Sequence, residues 1–194
     1  VAAGATNLIA SHTRLHELDP GQEAMLVQAL QNVSASRIDD ALADLRRLLA
    51  ANPGFRLAQM VYADLLLSRS GPITEFGAVP FAPYQQINAL RDEARARLRH
   101  YSAPPPLDQI PSALVKLSER QGYVVMVNMA TSRLYLYENR GGVPHLVHDF
   151  YATIGKNGVG KLAQGDQKTP VGVYFVTGII GSDKLPDFYG SGAF

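Results

Sequence analysis

Cysteine is absent from the 194-residue sequence, so neither a disulfide framework nor thiol chemistry can be drawn from these residues. An excess of charge of one sign is missing too. The formal net charge is +1 and the pI about 8.2. With no clustered basic and aromatic tracts, the chain lacks the field and the stacking surface of a nucleic-acid binder. No apolar run approaches the roughly 18 residues needed to span a bilayer, and no charged segment followed by an apolar core opens the chain. The opening Val1-Ala2-Ala3-Gly4-Ala5 suits a mature end or a flexible arm, with any export signal already removed. A hydrophobic share of 46% and a mean hydropathy of -0.04 indicate a globular chain with room for one domain and a smaller second.

The first half reads as helical. Asp19-Pro20-Gly21-Gln22 places an acid before a proline at the first helical position, opening a helix to about Asn32 whose buried side is Ala24, Leu26, Val27 and Leu30. A second helix carries Ile38, Ala41, Leu42, Leu45, Leu48 and Leu49 and stops at Asn52-Pro53-Gly54. A third runs from about Arg56 to Arg69; its Leu57, Met60, Val61, Leu65 and Leu66 form a set wide enough to pack on two sides. This pair resembles a tetratricopeptide hairpin. No second copy follows at a fixed period, so a small helical bundle is the simpler expectation. After a Gly- and Pro-rich connector, another helix places Ile87, Leu90, Ala94 and Leu98 on one stripe. Its arginines mix with Asp92 and Glu93, the pattern of a solvated face. The proline triplet in 102–106 makes a stiff spacer, so a helical domain over 1–103 and a second over 104–194 are expected.

Beyond a short helix expected over 112–120, the periodicity turns to alternation. Tyr123 to Val127 and Arg133 to Glu138 read as strands, with Asn139-Arg140-Gly141-Gly142 as a hairpin signal leading to a third over 145–153. Pro170 forbids a helix after Gln167-Lys168, and Gly172 precedes Val173-Tyr174-Phe175-Val176, a β-branched and aromatic run expected to form a buried fourth strand.

Three constellations invite chemistry and each fails a physical requirement. Gly155 to Leu162 nearly spells a phosphate loop, but the position after Lys161 lacks the hydroxyl for magnesium, and Gly165 and Pro170 leave no room for a long helix. His145, His148 and Asp149 could ligate a metal, yet residues three apart on a regular strand point to opposite faces. Gly190-Ser191-Gly192 lacks the spacing of a nucleophile elbow. No cofactor and no metal are expected.

The strand pair, the Gly155-Lys156 segment and Thr169-Pro170-Val171-Gly172 together resemble the YkuD-type L,D-transpeptidase domain over roughly Gln121 to Phe194. The resemblance implies an α+β chain: a helical region, tetratricopeptide-like or a small bundle, followed by the first strands of an incomplete β-sandwich. Asn128 stands where that family often carries aspartate, which touches a turn more than the chemistry. The family uses a cysteine thiolate with a histidine base in a Ser-His-Gly-Cys-like segment, expected here after Phe194. Thr169 and Gly172 would then shape the cleft wall. Asp187, Phe188 and Tyr189 would belong to an aromatic loop over the substrate, resembling the YafK-like branch. The implied partners are peptidoglycan stem peptides, with a protein partner through the helical region. The implied location is the periplasm and the implied role cell-wall biogenesis and cell shape. Cross-linking, amide hydrolysis that detaches wall-linked proteins, and a silent wall-binding scaffold are the readings that follow.

Overall fold

The computed structural model describes residues 20–78, 83–104, 110–112, 114, 116–185 and 192–193. The chain divides into two compact units: Asp19–Pro105 holds the helices, and the other unit, which includes Pro106–Phe194, holds the strands. The architecture is mixed α+β.

In the first unit, α1 (Pro20–Ser34), α2 (Ile38–Ala51), α3 (Arg56–Leu67) and α4 (Tyr84–Ser102) follow in order. Leu26, Val27 and Leu30 of α1 meet Leu42, Leu45 and Leu48 of α2 and Leu57, Val61 and Leu65 of α3 in a core that excludes water. Each such side chain contributes about 1.5–3 kcal/mol on burial. Several polar groups inside are paired, though the buried Gln22 Oε1 has no hydrogen-bond partner among the described residues. Asn32 Nδ2 donates to Asp44 Oδ2 at 2.9 Å, Arg37 Nη2 donates to Asn32 Oδ1 at 2.7 Å, and the Gly77 backbone N–H donates to buried Asp64. Asn52 closes α2 through its N–H to the Leu48 carbonyl, the stop expected from Asn52-Pro53-Gly54. The Asp19 cap lies outside the described residues.

Three expectations for this unit are corrected. Ala24 is exposed and Ala29 is buried in its place. Leu66 of the α3 apolar set is exposed, although α3 does pack on two sides, against α2 and α4, while Asp64 turns inward to hold the Gly77 amide. Arg97 does not belong to a solvated face. It is 6% exposed, its guanidinium pairing with Glu23 of α1 at 3.0 Å and Glu93 at 2.8 Å and lying 5.5 Å from the centre of the Phe55 ring. A guanidinium suits this position because it satisfies two carboxylates and stacks on an aromatic at once.

In the second unit, β1 (Tyr123–Asn128), β2 (Arg133–Arg140) and β3 (Val143–Tyr151) form an antiparallel meander in the order β1-β2-β3. The β1–β2 turn is held by Asn128, whose Oδ1 accepts the N–H groups of Ala130 and Thr131 at 3.1 and 3.3 Å. The β2–β3 turn is Gly141-Gly142, both at positive φ, a conformation whose twist matches the flanking strands and which glycine adopts without strain. One sheet face is covered: Arg133, Tyr135 and Tyr137 are buried. Arg133 is tied to Asp149 at 2.9 Å. Burial, then neighbouring Tyr135 and Asp149, push the Tyr137 hydroxyl above its ordinary pKa. The other face stays open, with Val125 and Val127 exposed.

The helix expected over 112–120 is not formed by the described residues of that stretch; Ser118 instead accepts the N–H of Gln121 and its carbonyl takes Asn139 Nδ2 at 2.9 Å. The buried strand expected at Val173 to Val176 is also absent. Those residues carry no ladder pairing, and Val173 and Phe175 are 88% and 75% exposed. A strand needs a neighbour for its amides and carbonyls, and no described strand lies beside this run. Among the described residues, β4 (Ile180–Gly181) pairs with β5 (Gly192–Ala193) as a separate two-stranded sheet.

Candidate functional site

Beyond β3 the chain enters a loop, 154–170, in which regular structure gives way to side-chain ties. Thr169 closes it. Its Oγ1 accepts the Gly155 N–H at 2.6 Å, its N–H donates to the Gly158 carbonyl at 2.8 Å, and its carbonyl accepts the Gly160 N–H at 3.0 Å. The result is an isolated parallel bridge between Val159 and Thr169. Gly155 has to be glycine: a Cβ there would lie 2.8 Å from Lys168 Cα and run into the Gln167 carbonyl. Gly158, Gly160 and Gly165 sit at positive φ and carry the reversals.

Asp166 is the hub of the loop. Its Oδ2 accepts the Leu162 and Ala163 N–H groups at 2.8 and 3.0 Å. Its Oδ1 accepts the Lys168 N–H at 3.0 Å and faces Lys161 Nζ at 2.9 Å. Donors on both oxygens favour the ionised form, so the backbone N–H of Ala163, then Lys161 and the other amides, hold this carboxyl far below the ordinary carboxylate range. The sequence reading missed Asp166; an Asp behind a positive-φ glycine in a turn-rich stretch is the signal that points to it.

The same geometry decides the phosphate-loop resemblance. The Gly158, Gly160, Leu162 and Ala163 amides are spent on Gly155, Thr169 and Asp166, so they do not converge on an anion. The alternation argument that set His145 and His148 on opposite faces is corrected. A register shift after Leu136 makes Val147 an extra residue, pairing His148 with Leu136 and His145 with Glu138, which sets both imidazoles on one face of the sheet. No cluster of three or more potential ligands forms among the described residues, and none of the helices described is long and apolar enough to cross a membrane.

Of the residues assigned to substrate from sequence, Thr169 sits at the loop closure and Gly172 three residues further, at φ +152°. The nearest atoms to Gly172 belong to the Tyr174 side chain, 3.2 Å from a would-be Cβ. Asp187, Phe188 and Tyr189 lie outside the described residues.

A twisted meander with an Asn-held turn, then a Gly-Lys loop closed on Thr-Pro-x-Gly, is one continuous arrangement, and residues 122–193 match the family model of the L,D-transpeptidase catalytic domain, YkuD. Over this region the chain is similar to the YkuD family. No curated protein and no solved structure matches the chain. The YkuD match ties the β-unit to L,D-transpeptidase-family activity and to peptidoglycan as the substrate class. It covers the loop and Thr169 and leaves the helical unit outside.

Proposed function

We propose that this chain is part of a periplasmic peptidoglycan L,D-transpeptidase that joins stem peptides through a cysteine acyl-enzyme. The observation that carries the reading is the YkuD match over 122–193, on a segment whose loop is closed by Thr169 on Gly155. The chemistry needs a thiolate to attack the amide that follows an L-centre and a base to take and return its proton. These 194 residues hold no cysteine. The nucleophile and its histidine are therefore placed C-terminal to Phe194 in the full-length protein, and the stretch described here is assigned the wall of the site: Thr169 and Gly172, with Asp187, Phe188 and Tyr189 over the donor.

Acylation releases the terminal D-residue; the acyl group then passes to an acceptor amine. With water as acceptor the same site is an amidase that detaches wall-linked proteins, a reading favoured by the resemblance of the aromatic stretch Leu185 to Phe194 to the YafK-like branch. The helical unit is assigned to a protein partner. Full-length protein incubated with a donor stem peptide and an acceptor amine separates the readings. A cross-linked product supports the transpeptidase, a hydrolysed donor alone supports the amidase, and neither product leaves a wall-binding scaffold.

A further inference from the structure

The loop 154–170 is held far more firmly than its surroundings require. Leu162, Ala163, Gln164 and Gly165 are exposed, so ordering them buries no core, and fixing such a backbone costs roughly 1–2 kcal/mol per residue. The compensation comes from one side chain. Asp166 receives the N–H groups of Leu162, Ala163 and Lys168 and the ammonium of Lys161, while its own carbonyl accepts Asn157 Nδ2 at 3.0 Å. One of those donors, Lys168, directly precedes Thr169, and Thr169 is the residue that receives the Gly155 N–H.

We propose that Asp166 is a positioning residue for the donor-peptide site: by gripping Lys168 from one side and Leu162–Ala163 from the other, it presents Thr169 through Gly172 in a single conformation. This rests on the transpeptidase reading above. Asp166 is not a candidate base, because both its oxygens are already occupied by donors. Its effect runs through Thr169. A surface loop ordered without a core under it stabilises the fold little, and preorganisation of a binding surface is what such ordering achieves.

The test uses full-length protein carrying Asp166→Ala, Asp166→Asn or Lys161→Met, followed by amide hydrogen exchange and donor-peptide kinetics. Asp166→Ala is expected to speed exchange at Leu162, Ala163 and Lys168 by about tenfold or more. It should raise the donor KM about tenfold while kcat changes less than about threefold. Asp166→Asn falls between, since its single oxygen can serve one of the two donor pairs. Lys161→Met stays near wild type because the three amide bonds remain. If Asp166→Ala loses folded protein, Asp166→Asn carries the same comparison. Unchanged exchange at the three amides overturns the proposal. So does faster exchange with unchanged KM, or a kcat loss at constant KM, which marks a smaller active fraction. A wild-type protein that does not turn over the donor overturns the transpeptidase reading and this proposal with it; an active wild type with kinetically silent Asp166 variants overturns the proposal alone.

Discussion

Gly155 and Lys168 meet backbone to backbone: a Cβ added at 155 would stand 2.8 Å from Lys168 Cα, closer than real Cβ contacts come. The glycine is therefore the condition for the loop to close on Thr169. Gly155→Ala should open the closure and destabilise the β-unit by about 1–3 kcal/mol. Gly122→Ala, where a Cβ meets nothing within 4 Å, should stay within about 0.5 kcal/mol of wild type. Urea unfolding followed by tyrosine fluorescence compares the two.

The Arg97 cluster ties α4 to α1. Removing the guanidinium leaves Glu23 and Glu93 facing each other at a site where their side chains are 16% and 14% exposed. Arg97→Ala should cost about 3–5 kcal/mol in the helical unit, and Arg97→Lys should recover only part, since an ammonium cannot fork between two carboxylates and stack on Phe55. Denaturation of the isolated helical fragment or of the whole chain reads this out.

How far the sequence carried the fold differs between the two units, and the reason is range. Leu26, Val27, Leu45, Leu48, Leu57 and Leu65 are buried as helical spacing required, because a helix closes its own hydrogen bonds and its period is set locally. β1 to β3 were equally legible from alternation and from Gly141-Gly142. Val173 to Val176 read as a strand on composition alone, but a strand depends on a neighbour that composition cannot supply. The extra residue at Val147 is invisible to a period-2 reading and reverses its conclusion about His145 and His148. Arg97 looked like a surface charge because its partner Glu23 is far away in sequence and Phe55 lies in another connector. Thr169 was singled out from Thr-Pro-x-Gly; Asp166, which holds its neighbour, was not, since the donors it collects become neighbours only once the loop has folded.

Asp166 sets the acid tolerance of the loop. Its folded pKa is depressed below the ordinary 3.8, so its contribution is fully present above that value and is lost only as the pH falls through the lower folded value. Protection of the Leu162, Ala163 and Lys168 amides should therefore persist when the pH is lowered from 7 to 3.8. Hydrogen exchange across that range checks it; loss of protection near the ordinary carboxylate pKa would show that the hub is not formed.

The exposed run Val171 to Val176 should matter little to the stability of the 194-residue chain. Phe175→Ser, at a side chain 75% exposed, is expected to change stability by less than about 0.5 kcal/mol and to reduce self-association, since an uncharged, β-prone segment without a partner is an aggregation hazard. Tyr135→Ala, at a side chain 6% exposed, should cost about 3–5 kcal/mol. Chemical denaturation combined with light scattering separates these outcomes.

Intact-mass analysis of the full-length protein after exposure to a donor stem peptide tests the functional reading most directly. The reading predicts a single covalent acyl adduct, accompanied by release of the terminal D-residue, with the modified peptide mapping to a cysteine C-terminal to Phe194; the 194-residue chain treated in parallel should stay at its unmodified mass of 21.0 kDa. Full-length protein that gains no adduct, or an adduct formed on the cysteine-free 194 residues themselves, would contradict it.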